Sequence, residues 1–256
     1  MDKILFLHHH IFKNAGTSLD RALKDIFGNA MYFYDTNKPG GVIDESMLTD
    51  FINTNISQEI ACLSSHQSCI KIPENTDFKQ INFVILRDPL RRFLSIYNYH
   101  KRIIPDKTKL DFLAKESSFK DFMIWIINKS PSISANFQTN FCSRTLSIER
   151  NITKTDLMIA KENLLQSEGT GIVERYDESI TLFNRILEKY HIKEKLISYQ
   201  ENTSKLQTDT IGFINEELGI DLVNQIKEMN AMDYELYNYT HSLLDKKMND
   251  FKLNIS

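Results

Sequence analysis

The sequence predicts an α/β fold built on a central parallel sheet. Three observations carry that expectation. Two short apolar runs, KILFLHH (Lys3 to His9) and INFVIL (Ile81 to Leu86), suit strands buried on both faces. Each run is followed by a polar turn and then by apolar residues at helical spacing. Strands that alternate with helices imply parallel pairing through right-handed crossovers.

The elements follow in order. After the first strand, Phe12 to Ser18 (FKNAGTS) reads as a turn. Leu19, Ala22, Leu23, Ile26 and Phe27 then mark one helix face, and Gly28 stands where that helix would stop. MYFYD (Met31 to Asp35) and IACLSSH (Ile60 to His66) are expected strands, with a turn at Pro39-Gly40-Gly41 between them. After Ile81 to Leu86, Asp88 can cap a helix whose first position is Pro89. Phe93, Ile96 and Tyr97 continue its apolar face, and Asp88 and Arg92 stand four apart in the favourable order. From about Phe112 the pattern is mostly helical, with one more strand at Gly171 to Glu174 (GIVE). Helices are expected over Ser179 to Tyr190, Asp209 to Leu218 and Tyr234 to Asp250. No internal repeat is present, and eight glycines and five prolines leave little linker material. One domain over residues 1–256 is expected, with a mostly helical second half from residue 106.

Composition narrows the function. Hydrophobic residues at 41% and charged residues at 25% of 256 exclude wholesale disorder. Thirty-one basic against 34 acidic residues give a net charge of −3. That excludes a nucleic-acid binder held by bulk charge but permits a local basic pocket. Cys62, Cys69 and Cys142 are too few and too scattered for a disulfide framework or zinc ribbon, so a reducing compartment is expected. No run approaches the roughly 18 apolar residues of a membrane span. The start, MDKILFLHHHIF, is unlike a signal peptide, and a cytoplasmic location is expected.

The loop Lys13-Asn14-Ala15-Gly16-Thr17-Ser18 joins a buried strand to a helix start. Helix N-termini carry unpaired N–H groups and a positive dipole end. Gly16 and Ala15 allow close approach, Thr17 and Ser18 offer hydroxyls, and Lys13 offers a charge. The arrangement suits a phosphate-like anion; a merely capped turn is the plainer alternative. It is not a Walker loop, because no Gly-Lys-Ser/Thr occurs in the chain. Arg87 ends the second strand at the sheet edge where open α/β sheets bind ligands. Ser95 on the next helix could share an anion with the Arg87 fork, unless Arg87 serves a structural ion pair. In a strand, His8, His9 and His10 alternate between faces, so all three cannot converge on one metal ion, and no metal site is expected. His100, Lys101, Arg144 and Arg150, and Asp111 with its charged neighbours, read as solvated surface.

Together, HIFKNAGTSL (His10 to Leu19) and FVILRDPLRRFLSIYNYH (Phe83 to His100) resemble the two cofactor motifs of the sulfotransferase superfamily. That superfamily uses 3′-phosphoadenosine 5′-phosphosulfate (PAPS), leaving 3′-phosphoadenosine 5′-phosphate (PAP). The nearest resemblance is to its carbohydrate branch, the heparan sulfate 2-O-, uronyl 2-O- and 6-O-sulfotransferases. Weaker similarity continues through NFQTNF (Asn136 to Phe141), AKENLLQSEGTGIVERYDES (Ala160 to Ser179) and MDYELYNYTHSLL (Met232 to Leu244). The resemblance implies a P-loop-like three-layer core with additional C-terminal helices. It implies that Lys13 meets the bridging or sulfuryl oxygens and that Asn14, Ala15, Gly16, Thr17 and Ser18 surround the 5′-phosphate. Arg87 and Ser95 would hold the 3′-phosphate. A loop closing over the cofactor would be ENTSKLQT (Glu201 to Thr208), with Asn202, Thr203 and Lys205.

Sulfuryl transfer to an alcohol needs a base for the hydroxyl proton, and His suits that task. His66 stands where the 2-O-type enzymes place their catalytic base; the first of their paired histidines is Ser64 here. His10, often a His in members of the family, would have a supporting role. The acceptor implied is a hydroxyl of a glycan, glycolipid precursor or small alcohol. Two rival readings stand beside this one. A P-loop kinase of a small metabolite would need magnesium and ATP, and a non-catalytic nucleotide-binding module would bind without turnover.

Overall fold

The computed structural model describes residues 3–37, 41–68, 77–105, 107–143, 151–198 and 210–253. Five strands form one sheet: β1 (Lys3–His9), β2 (Met31–Phe33), β3 (Ile60–Ser65), β4 (Phe78–Leu86) and β5 (Gly169–Ile172). Their order is β2-β3-β1-β4-β5, and every neighbouring pair is parallel. The first helices are α1 (Gly16–Phe27), α2 (Glu45–Asn55), α3 (Pro89–Arg102), α4 (Lys109–Glu116), α5 (Phe119–Lys129) and α6 (Pro131–Ser134). The later ones are α7 (Phe137–Ser143), α8 (Lys154–Gln166), α9 (Tyr176–Lys189), α10 (Thr210–Leu218), α11 (Ile220–Met229) and α12 (Ala231–Leu253).

The strands are apolar on both sides because both faces of the sheet are covered. Phe6, Phe83 and Ile85 face α1, α9 and the end of α12, packing on Leu19, Leu23, Phe183, Ile186 and Leu244. On the other face, Leu5, Leu7 and Leu63 pack on Leu48 and Ile52 of α2. Beside them, Val84 and Leu86 pack on Leu157 and Leu164 of α8 and Leu236 of α12. Each such side chain contributes about 1.5–3 kcal/mol when buried. The result is the expected three-layer α/β core. A further cluster joins α3, α5, α10 and α11 through Phe93, Ile96, Phe122, Ile214 and Val223.

Helix α3 starts as its sequence dictates: the Asp88 carboxylate accepts from Arg91 N at 2.9 Å, and Pro89 takes the first turn. Strand β5 lies two residues earlier than Gly171 to Glu174. A Cβ on Gly169 would fall 2.3 Å from the Phe83 ring, which stacks on Phe183 at 4.5 Å. Glycine is therefore a strand residue here, and Val173–Arg175 already turn toward α9.

Three charged positions differ from expectation. Arg92 does not pair with the Asp88 four residues before it; it is buried, and its Nε donates to Phe12 O at 3.2 Å. His100 and Asp111 are not surface: both are buried, with Nδ1 donating to Oδ1 at 2.7 Å. The same carboxylate closes the N-terminal box of α4 with Thr108. Charge was no guide to exposure where a partner is built in. Cys62 and Cys142 are buried and outside any disulfide among the described residues, and Cys69 lies outside the described residues. Among the described residues, no helix is long and apolar enough to cross a membrane.

Candidate active site

The strand order reverses at β1, which pairs with β3 on one side and β4 on the other. Ligand crevices open beyond the carboxyl ends of strands at such a point. The chain leaving β1 turns through two left-handed non-glycine residues, Lys13 (φ 66°) and Ala15 (φ 61°). Each costs on the order of 1–3 kcal/mol and persists only where the surroundings impose it. Asn14 supplies that constraint. Its buried Nδ2 donates to Ile85 O at 3.0 Å and to Gln138 Oε1 at 2.7 Å, fastening the loop to β4 and α7. Its backbone N–H donates to Ile11 O at 3.1 Å. Asn14 is therefore a strut of the loop.

The donors that remain are further along. Ser18 N donates back to Ala15 O at 3.1 Å, so the N–H groups of Ala15, Gly16 and Thr17 precede the first bond of α1. No side chain caps α1. An anion fits such a terminus. Thr17 is exposed above it, whereas Ser18 is buried.

Positive charge gathers beside this cradle. Arg87 follows β4, and its Nη1 donates to Lys13 O at 3.0 Å. Its Nε is buried and makes no hydrogen bond, with Glu174 Oε1 at 4.0 Å. Gln138 fixes the Arg87 backbone on both sides, accepting from its N at 2.9 Å and donating to its O at 2.8 Å. Lys13 Nζ lies 4.4 Å from the Tyr99 ring centroid. Burial, then repulsion from Arg87 and Arg102, lowers its pKa to about 8. Arg92 stands behind, 3.9 Å over the Phe137 ring, with Nη2 unbonded. Burial pushes its pKa down to about 10, against the attraction of Asp233. Cations press on Lys13, and Arg87, with Glu174 at 4.0 Å, retains an unused donor: the residues fit a bound phosphate or sulfate. Ser95 lies half-buried on α3, with no hydrogen bond to Arg87 among the described residues. Asn202, Thr203 and Lys205 fall outside the described residues.

His66 follows β3 directly and is exposed. Its Nδ1 donates to Asp35 Oδ2 at 2.9 Å, and its backbone N donates to Asp35 Oδ1 at 2.8 Å. Burial would raise the Asp35 carboxyl, but these bonds and one from Ser65 outweigh it and hold it below the usual range. With Nδ1 committed as a donor, Nε2 is the ring's proton-accepting atom. The His66 ring stacks on that of His10 with centroids 3.9 Å apart.

The histidine run divides by alternation. His9 points to one face, where Nε2 donates to Asn82 Oδ1 at 3.0 Å. His8 and His10 share the other, and Asp20 of α1 meets both: their Nδ1 atoms donate to its two oxygens at 2.6 and 2.8 Å. Two histidines thus converge with a carboxylate, which alternation allowed and the sequence reading missed. Ligand atoms on one tetrahedral zinc stand roughly 3.3 Å apart, so the spacing seen is that of hydrogen bonds. Ser64 sits in this group, its Oγ 3.2 Å from His8 Nδ1.

Asp20, Asp35, Gln138 and Asp233 are the residues sequence reasoning passed over. Gln138 and Asp233 lie within NFQTNF and MDYELY, which carried only weak similarity, and Asp35 was placed in a strand.

A parallel sheet whose switch point opens on an uncapped helix, a strained loop and a cluster of cations defines an α/β protein suited to a phosphate- or sulfate-like group. The profile of the sulfotransferase family matches residues 2–240, and the chain belongs to that family. It is also similar to an uncharacterised protein of Archaeoglobus fulgidus, 23% identical over 93% of this chain and 96% of that one. The class of chemistry is therefore transfer of a sulfuryl group to a hydroxyl-bearing acceptor.

Proposed function

We propose that this sulfotransferase takes its sulfuryl group from PAPS and delivers it to a carbohydrate hydroxyl, with His66 as general base. The observation that carries the reading is the position of His66. It stands at the end of β3, beside the loop that leaves β1, with its ring oriented by Asp35. When bound, PAPS supplies a sulfuryl group on a good phosphate leaving group. Lys13 and the N–H groups of Ala15, Gly16 and Thr17 hold the 5′ end and offset charge on the departing oxygen. Arg87 offers its unused Nε to the 3′-phosphate, with Ser95 as the expected second donor. His66 Nε2 takes the acceptor proton, and the Asp35 carboxylate stabilises the resulting imidazolium. The carbohydrate rests on the motif resemblance, and a glycan or glycolipid precursor is the acceptor class to screen.

The test is a thermal-shift titration with PAP beside ATP with magnesium. PAP at ~100 times its dissociation constant stabilises by about 2.7 kcal/mol. That shift disappears in Arg87→Ala. A response to ATP with magnesium alone overturns the reading in favour of a kinase.

Lys13 adds a pH dependence. Its cation is present below a pKa of about 8 and is lost above it. PAP affinity therefore weakens by up to about tenfold per pH unit above that point, until the pKa of the bound state is reached. Lys13→Arg removes the dependence, because a guanidinium stays charged there. Calorimetric titration from pH 7 to 10 reads it, and a flat profile in the unmodified protein refutes the contact.

A further inference from the structure

We infer that His10, locked by Asp20, is a positioning residue whose ring sets the spacing between His66 and the anion loop. The inference rests on the reading of His66 as base and deepens it. His10 has two working neighbours. On one side it lies directly against the loop: a Cβ on Gly16 would fall 2.0 Å from His10 Cδ2 and 2.2 Å from Nε2. On the other side its face meets the His66 ring at 3.9 Å, with 26° between the planes. One imidazole therefore fills the gap between the first residue of α1 and the proposed base.

The ring is not free to rotate out of that gap. Asp20 Oδ2 accepts from His10 Nδ1 at 2.8 Å, and Oδ1 is engaged by His8 at 2.6 Å. Asp20 belongs to α1, the helix that the anion loop opens, so the lock and the loop move as one body. The carboxylate also fixes the tautomer, with the proton on Nδ1.

His10 stays neutral under working conditions. Burial lowers its pKa to about 4, reinforced by His8 and His66 and opposed by Asp20. A neutral ring can lie under His66 without opposing the charge that His66 acquires. Placement of this kind matters because a 1 Å misplacement can cost about 100-fold in rate.

The test uses the full chain with His10→Ala, His10→Phe and Asp20→Asn. The His66 ring signals are assigned by their loss in His66→Gln and followed by NMR; PAP affinity is measured by calorimetry. His10→Ala removes the stacked ring, so the His66 ring protons move downfield, and PAP binds about tenfold more weakly as the loop loses its support. His10→Phe keeps a ring that supports the loop but has no nitrogen for Asp20 to hold, so it recovers PAP affinity in part while the His66 signals stay displaced. If His10→Ala does not fold, Asp20→Asn carries the test: the unlocked ring leaves the same downfield movement. Folded His10→Ala or Asp20→Asn protein with native His66 signals overturns the inference. Stoichiometric zinc in the purified protein, released with loss of the stacking signature, overturns it too. Full turnover by His66→Ala would instead remove the base reading and leave the stacking signature in the unmodified protein intact.

Discussion

His66→Ala loses roughly 10²- to 10⁴-fold in sulfuryl transfer, the usual contribution of a positioned proton acceptor, while PAP affinity stays within about twofold. The two readouts separate because the cradle and the base come from different strands. Cradle and cations follow β1 and β4, whereas His66 follows β3. His66 is exposed and is tied to the fold chiefly through Asp35 and the His10 stack, so its truncation removes little buried surface. Asp35→Asn distinguishes chemistry from packing. The amide keeps the shape but no longer stabilises an imidazolium, so turnover falls while the fold holds. Transfer by His66→Ala at a rate close to that of the unmodified protein ends the assignment of the base.

Asp233→Ala destabilises the protein by about 3–5 kcal/mol, as expected when one partner of a buried ionic network is removed. Native domains hold only about 5–15 kcal/mol in all, so this single change consumes a large share. Asp233 is fully buried near the start of α12. It accepts from Gln138 N at 3.0 Å, Thr139 N at 2.7 Å and Thr139 Oγ1 at 2.8 Å, and it faces Arg92. Burial pushes its carboxyl pKa up, and these donors and Arg92 oppose that push. Alanine strands the donors and leaves the Arg92 cation without its counter-charge. Asp233→Asn keeps an acceptor in place and loses less. Chemical denaturation measures both, and a loss below about 1 kcal/mol for the alanine variant contradicts this account.

Much of the sheet was legible because burial on both faces writes itself as continuous apolar runs. β1, β3 and the latter part of β4 fall where those runs are. The Asp88–Pro89 start of α3 was legible because capping is local chemistry. β5 was offset because Gly169 answers to the Phe83–Phe183 stack, a contact between distant segments. The loop after β1 and Arg87 were expected at strand ends, where ligands gather, and the structure brings the two side by side. Asp20, Gln138 and Asp233 could not, since each gains meaning only from what the chain brings beside it. Arg92, His100 and Asp111 misled for the same reason: spacing on a helix does not reveal a charge that is paired inward.

Gln138 has a consequence for the order of assembly. Its side-chain amide joins Asn14 to the backbone of Arg87, and its backbone N–H donates to Asp233. β1 and β4 can pair without it, and Asn14 and Arg87 already tie the loop to the end of β4, but the anchor at Gln138 forms only when α7 docks. Part of the constraint on Lys13 and Ala15 thus comes from a segment synthesised well after the loop itself. A chain cut after α3 would keep the bond from Asn14 to Ile85 O and lose the one to Gln138. The division near residue 105 separates stretches of sequence, while the loop after β1 is anchored from both.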